Sequence, residues 1–507
     1  MQHASWTHGY VTEVDYTRHF FRELAPSFLR YALTLGGFRA PRTDAEFAYC
    51  ELGCGQGVTT NVLAAANPKG RFWGIDFNPQ HVAGARELAS QASLENVTFL
   101  DASFEEFLGV ETPPFDFIGL HGVYSWISPE NRRKILEILR TRLKPGGVAY
   151  VSYNSMPGWA PLLPFRDLAT AYVARLSGPI TGRIESAFGF MQKLADNSAA
   201  YFNVNPLAKA HLERVKTHDK KYFAHEYLNR DWHPQYCYEV ANEMGEAKLE
   251  YAASADLQDQ FDSLNLNEAS RALLDELPDP LLRRTVRDYL LNIRFHKDIF
   301  VKGALRLSSR EHRAVLGRSR FALTLATDSI EFKATLHRGE ATLKEEIYRP
   351  IVESLARKPA TIDDLARLPA MKEVGFAQLV QAVTILVHMG AAAPCPLEVD
   401  TQRRSQAAAY NGALIKGLVS DAQLPFASPL TGSGIAASTI DVLFARGRAL
   451  KREPTEFAWN FLAETGQSVT KGGKPIESDD EKRAEIARLS ARFNEHVLPL
   501  WQQHGVL

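Results

Sequence analysis

A glycine-rich turn at residues 51–57, with the sequence ELGCGQG, constrains this chain more than any other feature. Glycine permits positive φ and lets a ligand approach the backbone, and the helix that follows such a turn presents free N–H groups. The dinucleotide fingerprint G-x-G-x-x-G would require a small residue at position 58, where Val58 stands, and the G-K-[ST] of a P-loop is absent. The turn therefore predicts a ligand site that is neither of these two.

Short apolar strands alternate with helices on both sides of this turn. The alternation predicts a doubly wound, Rossmann-like α/β fold, in which a parallel sheet carries helices on both faces. Asn78 and Ser128 are predicted helix N-caps, and Pro79 suits a first helical position. The predicted strands cover 47–52, 71–76, 97–102, 115–121 and 148–153, and the predicted helices cover 15–35, 58–66, 79–91 and 129–143.

Three acidic residues stand at the carboxyl ends of the first three predicted strands: Glu51, Asp76 and Asp101. In an open α/β sheet these ends meet in one crevice, so the three carboxylates are expected to converge. Glu51 would repel a pyrophosphate and suits a ligand with an ammonium or sulfonium group. Asp76 could accept hydrogen bonds from a ribose diol, and Asp101 from an exocyclic amine. The pattern predicts a pocket for a cationic adenosine derivative.

This constellation resembles the class I S-adenosylmethionine-dependent methyltransferases, whose pattern E-x-G-x-G-x-G is matched from Glu51 to Gly57. The resemblance implies that the cofactor is S-adenosylmethionine and that the glycine loop touches its methionine part. It implies further that Asp76 binds the ribose, that Asp101 and Ala102 lie by the adenine, and that Phe77 packs on the adenine face. The expected cofactor-binding residues are Glu51, Gly53, Cys54, Gly55, Gly57, Asp76, Phe77, Asp101, Ala102, His121 and Gly122.

Four further segments carry a narrower resemblance. The segments 121–126 (HGVYSW) and 152–159 (SYNSMPGW) follow the fourth and fifth strands. The segments 222–227 (YFAHEY) and 288–301 (DYLLNIRFHKDIFV) are similar to the two ends of a so-called methyltransferase regulatory domain. Together they resemble bacterial methyltransferases that carry this domain, a group that includes outer-membrane-protein lysine methyltransferases. The resemblance covers roughly residues 45–395.

The loop after the fourth strand lies where a methyl acceptor must approach, so its residues are the candidate catalytic groups. Methyl transfer chiefly requires a positioned nucleophile and exclusion of water. Tyr124 and Trp126 are candidates for an aromatic wall that suits a sulfonium or a lysine stem. His121 could accept a proton from the acceptor. Equally, His121 could be a structural histidine and Trp126 a core residue. The [ND]-P-P-[YF] signature is absent, which argues against adenine or glutamine acceptors.

Composition limits the partners and the compartment. The net charge of -1 gives no field for nucleic acid or anionic membranes, and no apolar run is long enough to span a bilayer. Four scattered cysteines without a CxxC pair predict neither a disulfide scaffold nor a metal site, and they favour a reduced, cytoplasmic protein. A basic run is predicted to be a solvated face; it consists of Arg306, Arg310, Arg313, Arg318 and Arg320. A polar cluster within residues 225–233 lacks the H-E-x-x-H spacing and is predicted to be a structural hydrogen-bond network; it consists of His225, Glu226, Asp231 and His233.

At 507 residues the chain is too long for one core. Four units are predicted: a methyltransferase core with an N-terminal helical lid at 1–160, a helical insertion and regulatory region completing the sheet at 161–304, a winged-helix-like domain at 305–398, and a helical domain at 399–507. Tyr10 and Tyr16 are candidate lid residues, and the segments 321–326 and 329–334 are predicted to form a hairpin in the winged-helix-like domain. We expect methylation of a protein side chain, most plausibly lysine. A small-molecule or glycan hydroxyl acceptor, a binding protein without turnover, and a homodimer stay open.

Overall fold

The computed structural model describes residues 18–215, 229–396, 401–417, 424–472 and 474–507. Its centre is a seven-stranded sheet in the order β3-β2-β1-β4-β5-β7-β6. Strands β1 to β5 run parallel, while β7 runs antiparallel to both β5 and β6. The strands are β1 Phe47–Leu52, β2 Gly70–Asp76, β3 Val97–Asp101, β4 Phe115–Leu120, β5 Leu143–Asn154, β6 Leu249–Ser254 and β7 Phe295–Lys302. The predicted doubly wound α/β sheet is confirmed.

Helices cover both faces of the sheet, which explains why all six residues of β1 are buried. One face packs against α1, α2 and α3 through residues such as Leu29, Leu63 and Ala85. The opposite face packs against α4 and α5 through Phe107 and Ile135. These helices are α1 Pro26–Leu35, α2 Val58–Ala66, α3 Pro79–Gln91, α4 Phe104–Leu108 and α5 Pro129–Arg142.

The predicted helix starts are confirmed at two of these helices. The Asn78 side chain accepts from the Gln80 N–H at 3.0 Å, and the Ser128 side chain accepts from the Asn131 N–H at 3.2 Å. Each cap is followed by proline, whose fixed φ and missing N–H suit the first helical position. Local chemistry therefore sets where α3 and α5 begin.

The first helix is shorter than predicted. It begins at Pro26, after a single 3-10 turn at Arg22–Leu24, and residues 18–21 are not helical. Proline disfavours the α conformation in the residue before it, and Ala25 is extended with ψ 131°. Residues 15–17, the lid candidates Tyr10 and Tyr16, and the segment 222–227 lie outside the described residues.

The region after β5 is mostly helical and then completes the sheet. A buried ionic network fixes β7 under the helix Pro280–Leu291: the Tyr153 hydroxyl donates to Asp298 at 2.6 Å, and Arg284 pairs with the same carboxylate. The helices are Leu163–Val173, Ile180–Asp196, Ala200–Val204, Pro206–Val215, Cys237–Glu246, Asp262–Asn265, Glu268–Asp275 and Pro280–Leu291.

The module beyond β7 corrects one prediction. Segments 321–326 and 329–334 do not form a hairpin, because a 3-10 turn at Thr327–Ser329 separates them. The strand Arg320–Leu323 pairs with Ala360–Thr361 and Ala392–Cys395, while Lys333–Leu336 pairs with Gly339–Thr342, where Gly339 takes φ 113°. The helices of this module are Ser309–Arg318, Glu345–Arg357, Ile362–Leu365 and Phe376–His388.

The last module packs on α2. Its first helix, Thr401–Ile415, places the Gln406 side chain so that it donates to the Ala64 carbonyl and to Asn96 Oδ1, both at 2.8 Å. In the described parts of the chain, no helix has the length and apolar character needed to cross a membrane. The other elements are hairpins Phe426–Ser428/Ser433–Ile435 and Thr470–Lys471/Lys474–Pro475, and helices Thr439–Ala449, Pro454–Thr465, Asp479–Arg492 and Leu498–Gln503.

Candidate active site

A cavity opens at the carboxyl edge of the sheet beside β1 and β4, where the strand order reverses. This switch point is where open α/β sheets bind ligands. The structure places most predicted site residues there: Glu51, Gly53, Cys54, Gly55, Asp76, Phe77, Ala102, His121, Gly122 and Trp126 all line the cavity. Three predicted residues lie outside its lining: Gly57, Asp101 and Tyr124.

Two glycines of the loop, Gly57 and Gly55, have different surroundings. Gly53, Gly55 and Gly57 all take positive φ, at 73°, 53° and 65°. A Cβ on Gly57 would lie 2.5 Å from the Ala85 Cβ and 2.7 Å from Phe99, so Gly57 lets the loop pack on the fold behind the cavity. A Cβ on Gly55 would meet nothing within 4 Å. Gly55 therefore faces open space.

Asp76 is the buried anchor of the loop. Its Oδ2 accepts from the Gly55 N–H at 2.8 Å, and its Oδ1 accepts from the Asn78 N–H at 2.9 Å. The ring Nδ1 of His81 lies 3.4 Å from Oδ1. A carboxylate has about four acceptor positions, so Asp76 keeps further lone pairs for a ligand hydroxyl pair at the cavity. This geometry fits the adenosine part of S-adenosylmethionine.

Asp101 does not join the cavity, contrary to the predicted convergence of three carboxylates. It lies opposite Asp76 in the β2–β3 register, but β3 is the edge strand of the sheet and the Asp101 side chain is exposed. Ala102 lines the cavity instead, and its N–H donates to the Asp76 carbonyl at 3.0 Å. The following helix brings Ser103 and Phe104 to the same wall.

Glu51 is buried beneath the loop with few polar neighbours. Burial raises the pKa of Glu51 to about 8, the charge of Asp76 adds to this rise, and the hydrogen bond from the Thr60 hydroxyl opposes it. A carboxyl held in this state favours a cation, because a positive group restores its charged form. The residue thus fits the ammonium of a methionine moiety.

His121 is positioned by an aromatic stack. Its Nδ1 lies 2.8 Å from the Tyr150 hydroxyl, and its ring stacks on Phe21 at 3.6 Å between centroids. Burial lowers the pKa of His121 to about 3, although the charge of Glu23 opposes the shift. A neutral imidazole of such low basicity is a weak proton acceptor at neutral pH, which argues against the predicted base.

Tyr124 and Trp126 separate into two roles. Tyr124 is fully buried in the core on the α5 face, where its hydroxyl donates to Glu243, so the predicted aromatic wall does not include it. Trp126 lines the cavity and lies 5.9 Å from the Trp232 ring. The wall is therefore formed by Trp126, backed by Trp232.

Asp231 also lines the cavity, although sequence reasoning assigned residues 225–233 to a structural network. The Asp231 carboxylate pairs with Arg230 at 2.8 Å and lies 3.7 Å from His233 Nε2. His225 and Glu226 lie outside the described residues. Neither periodicity nor a motif distinguishes Asp231 in the sequence, because the fold alone brings it to the loop after β4.

The strap, residues 18–23, closes one side of the cavity. Arg18, His19 and Phe21 line it, and the Phe21 N–H donates to the Thr59 hydroxyl at 3.1 Å. The strap crosses α2 at its first turn, next to the glycine loop. It is thus part of the site, and no motif announced it.

Two charged side chains fasten the strap to the rest of the molecule. Arg22 donates to the Val387 carbonyl at 2.9 Å and to the His388 carbonyl at 2.5 Å, at the carboxyl end of the helix Phe376–His388. Glu23 pairs with Lys297 of β7 at 2.7 Å. Burial would raise the pKa of Glu23, but Lys297 and Arg22 hold it at about 2. The module beyond β7, called the C-terminal module below, therefore supports the cofactor cavity.

Comparisons with known proteins agree with this geometry. The family described as "Methyltransferase domain" matches residues 43–199, and the family described as "Predicted methyltransferase regulatory domain" matches residues 219–302. The uncharacterized protein sll1526 of Synechocystis is 41% identical over 504 residues, which cover 99% of this chain and 100% of that protein. The structure of PKMT2 from Rickettsia typhi in complex with AdoHcy has a TM-score of 0.70 at 19% identity, covering 97% of this chain and 99% of that one.

The fold and the cavity define an S-adenosylmethionine-dependent methyltransferase of class I architecture. Asp76, Glu51 and the glycine loop are the residues that fit the cofactor, which supplies a methyl group carried on a sulfonium. Within this class, the chain belongs to the methyltransferases that carry a methyltransferase regulatory domain, and sll1526 is its relative over the full length.

Proposed function

We propose that this enzyme methylates the side-chain amine of lysine in a protein acceptor. The observation that carries the proposal is the acceptor end of the cavity, where the described residues include the Trp126 ring and the Asp231 carboxylate. Trp126 and Asp231 suit an ammonium on a long aliphatic stem. His121, the histidine of the loop after β4, has a pKa of about 3.

The low pKa of His121, the histidine of the loop after β4, favours an amine over a hydroxyl acceptor. An alcohol must lose its proton during attack, so it needs a general base with a pKa near the working pH. An amine is a nucleophile in its neutral form, and transfer to a desolvated site lowers the pKa of a lysine. Positioning and exclusion of water then suffice for an in-line displacement.

The cofactor-side roles belong to the same proposal. Asp76 binds the ribose diol, Glu51 faces the ammonium of the methionine moiety, and Ala102 and Phe77 border the adenine. The likeness to PKMT2 over the whole fold and the resemblance to outer-membrane-protein lysine methyltransferases support a protein acceptor. So does the large accessory mass beyond the catalytic sheet, which a small acceptor would not need.

The test uses S-adenosylmethionine with a labelled methyl group, added with the purified enzyme to separated protein and metabolite fractions of the host. We expect label in protein, at lysines identified by mass spectrometry. Acetylation of the protein fraction beforehand blocks lysine amines and should abolish the labelling. Label found only in small metabolites, or label in protein that acetylation leaves unchanged, would overturn the proposal.

Trp126→Ala and Trp126→Phe sharpen this test. The alanine variant should lose most transfer to protein while it still binds S-adenosylmethionine, and the phenylalanine variant should recover part of the transfer. Equal transfer by the wild type and both variants would remove the aromatic wall from the proposal. A chain that binds the cofactor and never labels any fraction would instead be a binding protein without turnover.

A further inference from the structure

A second cleft lies on the far side of α1, between the loop that follows this helix and the helix Ser309–Arg318. Four arginines line it: Arg30, Arg39, Arg310 and Arg318. Among the described residues of its lining, Glu311 is the sole acid. We call this the arginine cleft. It joins the catalytic sheet to the C-terminal module.

Most of these guanidinium groups lack a carboxylate partner. Arg39 lies 3.5 Å from Glu311. Arg318 donates through Nε to the Ala314 carbonyl at 3.2 Å, and the Arg310 guanidinium has no hydrogen bond or ion pair with any other described residue. Asp44, whose charge acts on Arg30 from outside the lining, is already held by Arg42 at 2.8 Å. The arginine cleft therefore carries an excess of positive charge.

Arg30 is the second indication of an anion site, because its guanidinium extends the positive charge of the cleft into the protein. Its Nη1 donates to the Thr43 hydroxyl at 2.8 Å, whereas its Nε is sealed from solvent without a partner among the described residues. Burial lowers the pKa of Arg30, opposed by the charge of Asp44. An anion in the cleft would favour the charged form of this guanidinium, which burial disfavours.

We propose that the arginine cleft binds a small phosphorylated anion with two or more negative charges. The planar fork of arginine matches phosphate oxygens in pairs, and such charge-assisted hydrogen bonds are about twice as strong as neutral ones. Phe38, Leu307 and Val315 form apolar sides to the cleft. They favour a compact ligand over the extended backbone of a nucleic acid.

Such an anion would act at a junction between two parts of the molecule. Arg30 belongs to α1, which follows the strap of the cofactor cavity, while Arg310 and Arg318 belong to the C-terminal module. A ligand that contacts both sides ties them together. The site is separate from the methyl-acceptor end, so it stands whichever acceptor the enzyme uses.

The test is calorimetric titration of the full-length protein with sodium pyrophosphate. Saturating S-adenosylhomocysteine is present throughout, so that the cofactor cavity is blocked. We expect saturable binding at one site per chain that weakens as sodium chloride is raised. The double variant Arg310→Gln/Arg318→Gln should bind at least tenfold more weakly. Both side chains are exposed, so the fold should be retained, and thermal unfolding checks this.

Arg313→Gln is the matched control on the same helix. The Arg313 guanidinium turns away from the cleft, stacks over Phe376 at 3.3 Å and pairs with Asp363 at 3.0 Å. Its removal takes away one positive charge, against two in the double variant, and should leave pyrophosphate affinity within about twofold. Absence of saturable binding, or equal weakening by Arg313→Gln and by the double variant, would overturn the proposal.

Vesicles containing phosphatidic acid separate a free anion from a lipid headgroup. A recessed cleft between two helices predicts that free pyrophosphate binds and that the vesicles do not sediment the protein. Sedimentation with vesicles that the double variant abolishes, without binding of free pyrophosphate, would overturn the assignment to a free anion.

Discussion

The two ends of the active-site cavity are built in different ways. The cofactor end is made largely from one continuous stretch, the turn at 51–57, together with Asp76 from the neighbouring strand. The acceptor end, as proposed, is made from side chains of remote segments, including Trp126 and Asp231. The cofactor end depends on backbone conformation, which requires glycines at a fixed spacing in the sequence. The acceptor end depends on tertiary packing, which imposes no recognisable spacing on the sequence.

The largest loss of stability at the cofactor end should come from Gly57→Ala. The new Cβ would clash with Ala85 and Phe99 at a positive φ, so we expect a stability loss of about 2–5 kcal/mol from left-handed strain plus overpacking. Gly55→Ala has the same strain but open space, and should cost about 1–2 kcal/mol. Chemical denaturation measures both, and equal losses would contradict the packing role of Gly57.

Glu51→Gln should raise the free energy of unfolding at high pH and should weaken cofactor binding. The pKa of Glu51 is about 8 when folded and near 4.5 when unfolded, so the folded state binds an extra proton between these values. The free energy of unfolding then falls by about 5 kcal/mol at most as pH rises through this window, and it levels off above it. The glutamine variant should lack this fall. It should also bind S-adenosylmethionine more weakly.

Unfolding free energies of both proteins between pH 5 and pH 9 test this directly, with the cofactor absent. The advantage of Glu51→Gln should grow toward pH 8 and then stay constant. A constant difference across the whole range would show that Glu51 titrates normally, and the electrostatic account of the cofactor end would fail.

Trp126→Ala should separate the acceptor end from the cofactor end. Loss of a ring over a cationic acceptor costs about 1–2 kcal/mol, so kcat/KM for the acceptor should fall by about 5- to 30-fold. Affinity for S-adenosylmethionine should change by less than about threefold, since the glycine loop and Asp76 are intact. Kinetics with the acceptor varied and direct cofactor titration measure the two quantities. Equal losses of kcat/KM for the acceptor and of affinity for S-adenosylmethionine would contradict the separation of the two ends.

A smaller effect is expected from Arg22→Ala, which releases the strap from the helix Phe376–His388. Arg22 touches two carbonyls there and no part of the glycine loop. Losing its charge-assisted hydrogen bonds should weaken S-adenosylmethionine binding by about two- to tenfold through Phe21. Arg22→Lys should fall between the wild type and Arg22→Ala. An unchanged affinity in Arg22→Ala would show that the strap does not depend on the C-terminal module.

The sequence predicted the strands and helices around the glycine loop well because their signals are local. The strand Phe47–Leu52 and the helices Val58–Ala66 and Pro79–Gln91 were predicted with the observed bounds. A buried apolar run, a glycine loop, and an N-cap followed by proline each act within a few residues. Asp76 was recognised because it ends the strand beside that loop.

The errors share one cause, which is dependence on neighbours that are remote in sequence. Asp101 ends a strand as Asp76 does, but its strand is at the sheet edge, and strand order cannot be read from a single strand. Tyr124 stands two residues before Trp126, yet only Trp126 reaches the cavity. Asp231 reaches the acceptor end because its segment pairs with the loop after β4, where the His233 N–H donates to the Ser125 carbonyl at 2.8 Å.

The central claim is that Asp76 holds the adenosine part of S-adenosylmethionine, and calorimetry of cofactor binding to Asp76→Ala tests it most directly. We predict an affinity loss of about 1–3 kcal/mol, or about 5- to 150-fold. Asp76→Asn, which keeps the side-chain shape, should show a smaller loss, and Asp101→Ala should bind as the wild type does. Wild-type affinity in a folded Asp76→Ala protein would contradict the account.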